Sequence, residues 1–382
     1  MNADIKYIGC NDHKIDLFEG QYAVPNGMAY NSYLVVDEKL VVFDTMDQKF
    51  IDEWLGNLKA AAGGRAPDYL VVQHMEPDHS AGIKRFMDEY PSATIVSSQQ
   101  AFKLMEQFFG TGFEDRRLVV KEGDTLNTGR HEFRFVAAPM VHWPEVIMTW
   151  DAASKTLFSA DAFGKFGALD VDEDWDCEAR RYYIGIVGKF GVQVQAVLKK
   201  AAALDIATIC PLHGPVLEEN LGHYLELYNT WSSYAVETEG VQICYTSVYG
   251  HTKEAALKVR DELEKRGVKV EIADLARDDM AEAVEGAFRY CTLVLATTTY
   301  NGPDVFPFMR TYVEQLVERN YQNRRVAIIE NGSWAPQAAK VIKGLLACSK
   351  NLEFVEPVVT IKSALNADSA ARLDELIEAV AK

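Results

Sequence analysis

The stretch His74-Met75-Glu76-Pro77-Asp78-His79-Ser80 constrains this chain more than any other. Four of its seven residues, His74, Glu76, Asp78 and His79, are strong metal ligands. The stretch follows the apolar run Tyr69-Leu70-Val71-Val72 and precedes an amphipathic segment, roughly Ser80 to Asp88. It therefore reads as a strand-to-helix loop, where a rigid sheet can aim side chains at one point. With residues 74–76 extended, His74 and Glu76 share a face, because side chains along a strand alternate with period two. Asp78 and His79 then come from the turn and can reach a second metal. A polar loop that only capped a helix would not need four ligands within six positions.

Three more ligand-type residues each follow an apolar run. His142 follows Phe135–Val141, Asp161 follows Leu157–Ala160, and His213 follows Ile206–Leu212. Each alone is the kind of residue that hydrogen-bonds structurally after a strand. Strand ends of a layered α/β fold lie along one rim, however, so all three can converge on the 74–79 loop. Trp143 and Glu145, beside His142, either pack or support it. His13, His131 and His223 have no ligand-like sequence neighbours and read as ordinary. The acidic run Asp170, Asp172, Glu173, Asp174, Asp176 reads as a solvated loop, with the approach of an electron donor as the sharper alternative.

With 382 residues, two domains are expected. The first mixes strands and helices: strands at Leu40–Phe43 and Ala93–Val96, helices at Phe50–Ala61 and Gln99–Phe109, then hairpins from Leu118 to Phe158. A long helix is predicted over Glu178–Leu204, interrupted near Gly188 or Gly191, then a strand at Ile206–Ile209 and a helix over Leu221–Tyr234. Near Glu239-Gly240 the pattern resets. Strands at Val241–Tyr245, Val268–Ile272, Thr292–Ala296, Arg325–Ile329 and Val355–Ile361 alternate with helices at Lys253–Arg266, Pro307–Arg319, Ala335–Leu346 and Ala370–Val380. Such alternation predicts a doubly wound parallel sheet. The expected domains are 1–239 and 240–382.

A net charge of −17 opposes sequence-independent nucleic-acid binding. No run approaches the roughly 20 apolar residues of a membrane helix, and the first residues lack the basic start and apolar core of a secretory signal. Six scattered cysteines without a CxxC pair read as reduced, mostly buried thiols, so a cytoplasmic protein is expected.

The order H-x-E-x-D-H followed by single His, Asp and His resembles the metallo-β-lactamase-like fold. Zinc hydrolases of that fold usually carry His where this chain has Glu76. Glutamate there, with a flavodoxin-like second domain, is similar to the flavodiiron proteins (A-type flavoproteins, rubredoxin:oxygen oxidoreductase relatives), and the resemblance covers essentially the whole chain. It implies an αββα sandwich followed by a flavodoxin-like domain. It also implies that His74, Glu76 and His142 hold one iron, Asp78, His79 and His213 the other, with Asp161 bridging. Three carboxylates make a harder, more anionic site than the nitrogen-rich zinc version, which suits iron in two redox states. Zinc has no second redox state to pair with a flavin.

In the second domain the loop Thr246-Ser247-Val248-Tyr249-Gly250-His251-Thr252 leads from a strand into a helix. Flavodoxins use a hydroxyl-rich loop here to cradle the FMN phosphate on backbone N–H groups, hydroxyls and a helix N-terminus. This chain has Tyr249 where flavodoxins usually carry Ser or Thr. Two further loops, from Thr297 through Thr298, Thr299, Tyr300 and Asn301 to Gly302, and Asn331-Gly332-Ser333-Trp334, would flank the isoalloxazine ring. No GxGxxG fingerprint for direct nicotinamide binding occurs. The expectation is an oxidoreductase passing electrons from FMN to two non-haem irons that reduce dioxygen to water, nitric oxide to nitrous oxide, or both. Its electrons would come from a rubredoxin-like protein or a reduced soluble cofactor. The resemblance further implies a head-to-tail homodimer or a tetramer. The rival readings are a metallo-β-lactamase-fold hydrolase with a regulatory flavodoxin domain, and a flavin electron carrier whose first domain is structural.

Overall fold

The apolar runs of the first half become two facing sheets. The structure is a computed structural model that describes residues 2–382, and the chain divides into two units, Met1–Asn229 and Thr230–Lys382. In the first unit, one sheet runs Ile5–Tyr7, Tyr33–Val36, Leu40–Phe43, Tyr69–Val71, Thr94–Ser98, Arg117–Val120 in spatial order. The other runs Thr125–Asn127, Glu132–Ala137, Ile147–Asp151, Thr156–Phe158, Thr208–Cys210. Period-two alternation sends Val41 and Phe43 of one sheet and Phe133, Phe135 and Phe158 of the other into a shared core. Phe43 stacks on Phe158 with ring centroids 3.9 Å apart. Leu40 and Val42, on the opposite face, are equally buried, which is the pattern of a sheet covered on both sides.

The strand directions decide where chemistry can occur. Leu40–Phe43, Tyr69–Val71 and Thr94–Ser98 are parallel neighbours. In the second sheet Glu132–Ala137 and Thr156–Phe158 each run antiparallel to Ile147–Asp151, and Thr156–Phe158 is parallel to Thr208–Cys210. The strands preceding His142, Asp161 and His213 therefore run in one direction and end on one rim.

In the second unit the strands Val270–Asp274, Thr238–Tyr245, Tyr290–Tyr300, Arg325–Asn331 and Glu353–Ile361 pair in that order, all parallel. In chain order this is 2-1-3-4-5, the flavodoxin-like arrangement, with its switch point beside the first strand. Helices His251–Lys265 and Ala367–Val380 pack on the sheet through Val259, Leu263, Leu373 and Ile377.

Several elements differ from the sequence expectation. The segment 178–204 is an α-helix (Trp175–Tyr182), a π turn (Tyr183–Val187), a 3-10 turn (Gly188–Phe190) and a second helix (Gly191–Ala201), so the break at the glycines is present and wide. The helix Met280–Arg289 and the short strands before Leu40 were not expected. Residues Thr297–Tyr300 are the end of a strand rather than loop: Thr297 and Thr298 pair parallel with Glu330 and Asn331, and Thr299 and Tyr300 antiparallel with Val305 and Asp304. Among the described residues no cysteine is in a disulfide, but only Cys10, Cys210 and Cys244 are buried. Among the described residues, no helix is long and apolar enough to cross a membrane.

Candidate metal centre

Each candidate ligand is held by the backbone that delivers it. Pro77 opens a short helix, Pro77–Ser80, so Asp78 and His79 lie on a helical turn instead of the open turn expected. The carbonyl of His79 accepts from Thr45 N (2.8 Å) and Thr45 Oγ1 (2.7 Å). Just upstream, the buried Asp44 carboxylate accepts from Gln73 N at 2.7 Å, Gln73 Nε2 at 3.1 Å and His74 N at 3.2 Å. Burial pushes the Asp44 carboxyl up to about 7 even though those bonds pull it down. The loop carrying His213 is tied by Asn31 Nδ2, which donates to the carbonyls of Pro211 (2.8 Å) and Gly214 (2.7 Å).

The seven side chains meet in two groups. In the first, His142 Nε2 lies 3.1 Å from Glu76 Oε2 and 3.1 Å from Asp161 Oδ2, and His74 Nε2 lies 3.2 Å from Glu76 Oε2. In the second, His79 Nε2 and His213 Nε2 are 3.0 Å apart, with Asp78 Oδ2 at 3.3 and 3.4 Å from them. Asp161 faces both: its Oδ1 is 3.4 Å from His79 Nε2. Within each group the ligand atoms lie within 4.8 Å of one another.

Both oxygens of Asp78 and Oδ1 of Asp161 are buried with no hydrogen-bond partner among the described residues. Buried carboxylate oxygens left this way cost several kcal/mol each unless a cation meets them. Two imidazole nitrogens facing each other at 3.0 Å need either a shared proton or a shared cation. The donor set, four histidines and three carboxylates, therefore fits a pair of transition-metal ions.

The groups also set each other's protonation. Burial disfavours the charged form of His142, but hydrogen bonds to Asp161 and Glu76 outweigh it and raise it to about 9. Burial raises Glu76 and Asp161, yet the histidines around them hold both well below the ordinary carboxylate range. His79 goes the other way, to about 4, because burial outweighs the pull of Asp78. It is neutral near pH 7, the state a metal needs.

Further residues complete the surroundings, of which Trp143 and Glu145 were offered by the sequence as packing or support beside His142. Glu145 Oε1 accepts from His74 Nδ1 at 2.9 Å and Met75 N at 2.8 Å, and the Trp143 ring stands edge-on to His74, centroids 5.3 Å apart. Tyr182 has a buried hydroxyl without a partner among the described residues, and its pKa is raised by burial and then by Asp161, Glu76 and Asp78. Glu19, at the tip of the Leu17–Ala23 hairpin, brings its carboxyl into hydrogen-bonding reach of Glu76. No spacing in the sequence links these positions to the 74–79 loop.

The acidic run 170–176 is not a uniformly solvated loop. Glu173 pairs with the buried Lys165 at 2.8 Å and accepts from Asn26 at 2.8 Å. Asp174 caps the helix Trp175–Tyr182, Asp170 meets His13, and Asp176 meets His223. The histidines read as ordinary thus have carboxylate neighbours in space, and His131 lies between Asp151 (2.7 Å) and Asp4 (3.3 Å).

In the second unit the three candidate cofactor loops leave adjacent strand ends. Thr246 Oγ1 lies 2.7 Å from Thr297 Oγ1, and Asn331 Nδ2 donates to Thr252 Oγ1 at 3.3 Å and to the Ser363 carbonyl at 3.0 Å. Gly250 precedes the helix His251–Lys265 with φ +100°, and no side chain caps that helix, so its first-turn N–H groups face outward at a positive dipole end. Tyr249 and Trp334 are each 92% exposed and Tyr300 is half-exposed, leaving flat aromatic faces beside the loops. Thr299 Oγ1 is engaged with Gln337 N and Ala338 N, and Ser333 with Ser363, so these two hydroxyls shape the loops from within.

Residues 28–214 match the model of the ODP family beta lactamase. A putative diflavin flavoprotein A 2 of Synechocystis sp. is 33% identical over 72% of this chain and 48% of its own length. An uncharacterized protein of Methanocaldococcus jannaschii is 31% identical over 92% of this chain and 88% of its own. A nitric oxide reductase of Moorella thermoacetica is 27% identical over 97% and 95%. In three dimensions, the rubredoxin oxygen:oxidoreductase of Desulfovibrio gigas superposes with a TM-score of 0.92, at 22% identity, over 100% of this chain and 97% of that one. The chain spans about half the length of the diflavin relatives it matches.

Proposed function

The chain belongs to the flavodiiron protein family, and on that premise we propose that it is an oxidoreductase holding FMN in its second unit and two non-haem irons in its first. Its substrates are dioxygen, reduced to water, nitric oxide, reduced to nitrous oxide, or both. The observation that carries this reading is the pair of buried ligand groups sharing Asp161. His74, Glu76 and His142 would hold one iron and Asp78, His79 and His213 the other. When bound, the irons and the flavin supply reversible storage of electrons, and the protein supplies everything else.

The protein's part follows from its geometry. Asp44 and Thr45 fix the backbone on either side of the 74–79 loop, so the ligands are in place before a metal arrives. Phe18 and Tyr30 pack edge-on against the His213 ring, at 5.4 and 5.8 Å between centroids, and exclude water from that side. In the second unit, the uncapped first turn of His251–Lys265 with Ser247 and Thr252 would hold the flavin phosphate. Tyr300, Trp334 and the backbone of 298–302 and 331–334 would border the ring.

Two features bear on partners. The −17 net charge favours a donor with a basic face or a small reduced cofactor, since acidic partners are repelled. Cysteines outside any disulfide among the described residues suit a reducing compartment, the cytoplasm. A head-to-tail homodimer is part of this proposal.

Metal and flavin analysis is the first test: about two irons and one FMN per chain are expected, whereas two zincs would indicate a hydrolase. Anaerobic reduction and stopped-flow mixing with dioxygen and nitric oxide separately then give the substrate. Reduced protein oxidised by neither gas at a useful rate would refute the proposal.

A further inference from the structure

The two halves of the ligand cluster are not supported alike. His74 Nδ1 donates to the Glu145 carboxylate at 2.9 Å, and both side chains are completely buried. That bond fixes the proton on Nδ1 and turns the Nε2 lone pair toward Glu76 and Asp161. In the other half, His213 Nδ1 donates to a neutral acceptor, the Ala29 carbonyl, at 2.7 Å. His79 Nδ1 is buried with no partner among the described residues. The Glu19 carboxyl, near Glu76, again lies on the His74 side.

An imidazole that donates to a carboxylate is a stronger ligand than one that donates to a carbonyl, because the proton is partly drawn away. Charges in a buried site act with little screening. From this asymmetry we propose that Glu145 is a positioning residue that makes the two metal positions unequal. The position ringed by His74, Glu76 and His142 binds its metal more tightly and favours the ferric ion. The position ringed by Asp78, His79 and His213 binds more weakly and takes the first electron when the pair is reduced. That electron converts one ferric ion to ferrous, and no protein bond is made or broken. The inference rests on the two-metal reading above but not on which gas the centre reduces.

Glu145→Gln keeps an oxygen for both N–H donors, removes the charge and puts an NH₂ in place of Oε2, which has no hydrogen-bond partner among the described residues. Metal-free protein titrated with cobalt(II), followed by visible absorption, should bind in two steps. In E145Q the tighter step should weaken by roughly 10–100-fold while the other stays. In iron-loaded protein titrated with dithionite, the half-reduced population seen by electron paramagnetic resonance should fall as the two one-electron steps draw together. Glu19→Gln, at a hairpin tip beside Glu76, should move both readouts the same way by less, and it carries the test if E145Q does not fold. Unchanged steps overturn the proposal, as does equal weakening of both, which a purely structural role would give. Two cobalt ions bound in indistinguishable steps by the unaltered protein would sink the inequality while leaving the two-metal centre intact. Failure to bind a metal pair at all would sink the centre itself.

Discussion

Asp161 keeps Oδ2 at 3.1 Å from His142 and Oδ1 at 3.4 Å from His79, and only a side chain with two acceptor oxygens can face both groups. Asp161→Asn replaces one acceptor with an NH₂ donor pointed at a cation site. The expected result is a protein that folds, holds less than two metals per chain, and loses turnover by at least about 100-fold, the upper end of what supporting residues cost. Metal analysis beside steady-state rates checks it. A second residue tests electrostatics away from the centre. The Asp151 hydrogen bond raises His131 above its ordinary value, with burial opposing and Asp4 assisting. Because the folded pKa is the higher one, the protonated pair's contribution is complete below the unfolded value of about 6.5 and is lost as pH rises through the folded value. His131→Asn should therefore cost about 1.5–3 kcal/mol at pH 6, with the gap to the unaltered protein narrowing by pH 9.5; denaturant midpoints at both pH values measure it. The seven ligand candidates were legible in the sequence because ligand chemistry resides in residue type and four sit within six positions. Glu145 was legible as support beside His142, though not as the partner of His74; Glu19 and Tyr182 were not legible, since what matters in them is where a hairpin tip or a helix face arrives in space.

At the level of elements, the sandwich core rests on aromatic pairs between sheets. Phe158 is completely buried and stacks on Phe43 at 3.9 Å, so Phe158→Ala should cost about 3–5 kcal/mol in thermal or chemical unfolding. Because Asp161 follows the same strand, metal content should fall with stability. In the second unit, Gly250 has φ +100° with open space around its Cα. Gly250→Ala therefore meets backbone strain rather than a clash, about 1–2 kcal/mol, and should loosen FMN more than it lowers the melting temperature of the flavin-free protein. Flavin retention on gel filtration separates the two. Long periodic elements such as Gln99–Phe109 and Pro307–Glu318 could be read from the sequence because their apolar spacing matches one period throughout. The strands before Leu40 are two to four residues long, too short to show a period. Thr297–Tyr300 was read as a polar loop, but pairing of its first half with Glu330 and Asn331 and of its second half with Asp304–Val305 extends the strand through it. The acidic run carried no apolar signal, and three of its partners, Asn26, His13 and His223, are distant in sequence.

For the whole molecule, the proposed head-to-tail pairing would let electrons cross from one copy's flavin to its partner's metals, and it makes a prediction that no single chain could satisfy. Let one variant lack the metal function (His79→Ala) and another lack flavin binding (Gly250→Ala combined with Thr252→Val, which removes a hydroxyl facing the loop). Each alone should be inactive for a different reason: the first keeps FMN without a working metal pair, the second keeps the metals without FMN. If the chains pair head to tail, a mixed dimer contains one intact route, from the flavin of the first variant to the metals of the second. Co-expression in equal amounts yields about half mixed dimers with one working route of two, so activity on the order of a quarter of the unaltered level should return. If each chain instead reduces its own metals, every mixed dimer is dead and co-expression recovers nothing. Isolating the mixed dimer with two affinity tags sharpens the reading, because its activity should then be about half.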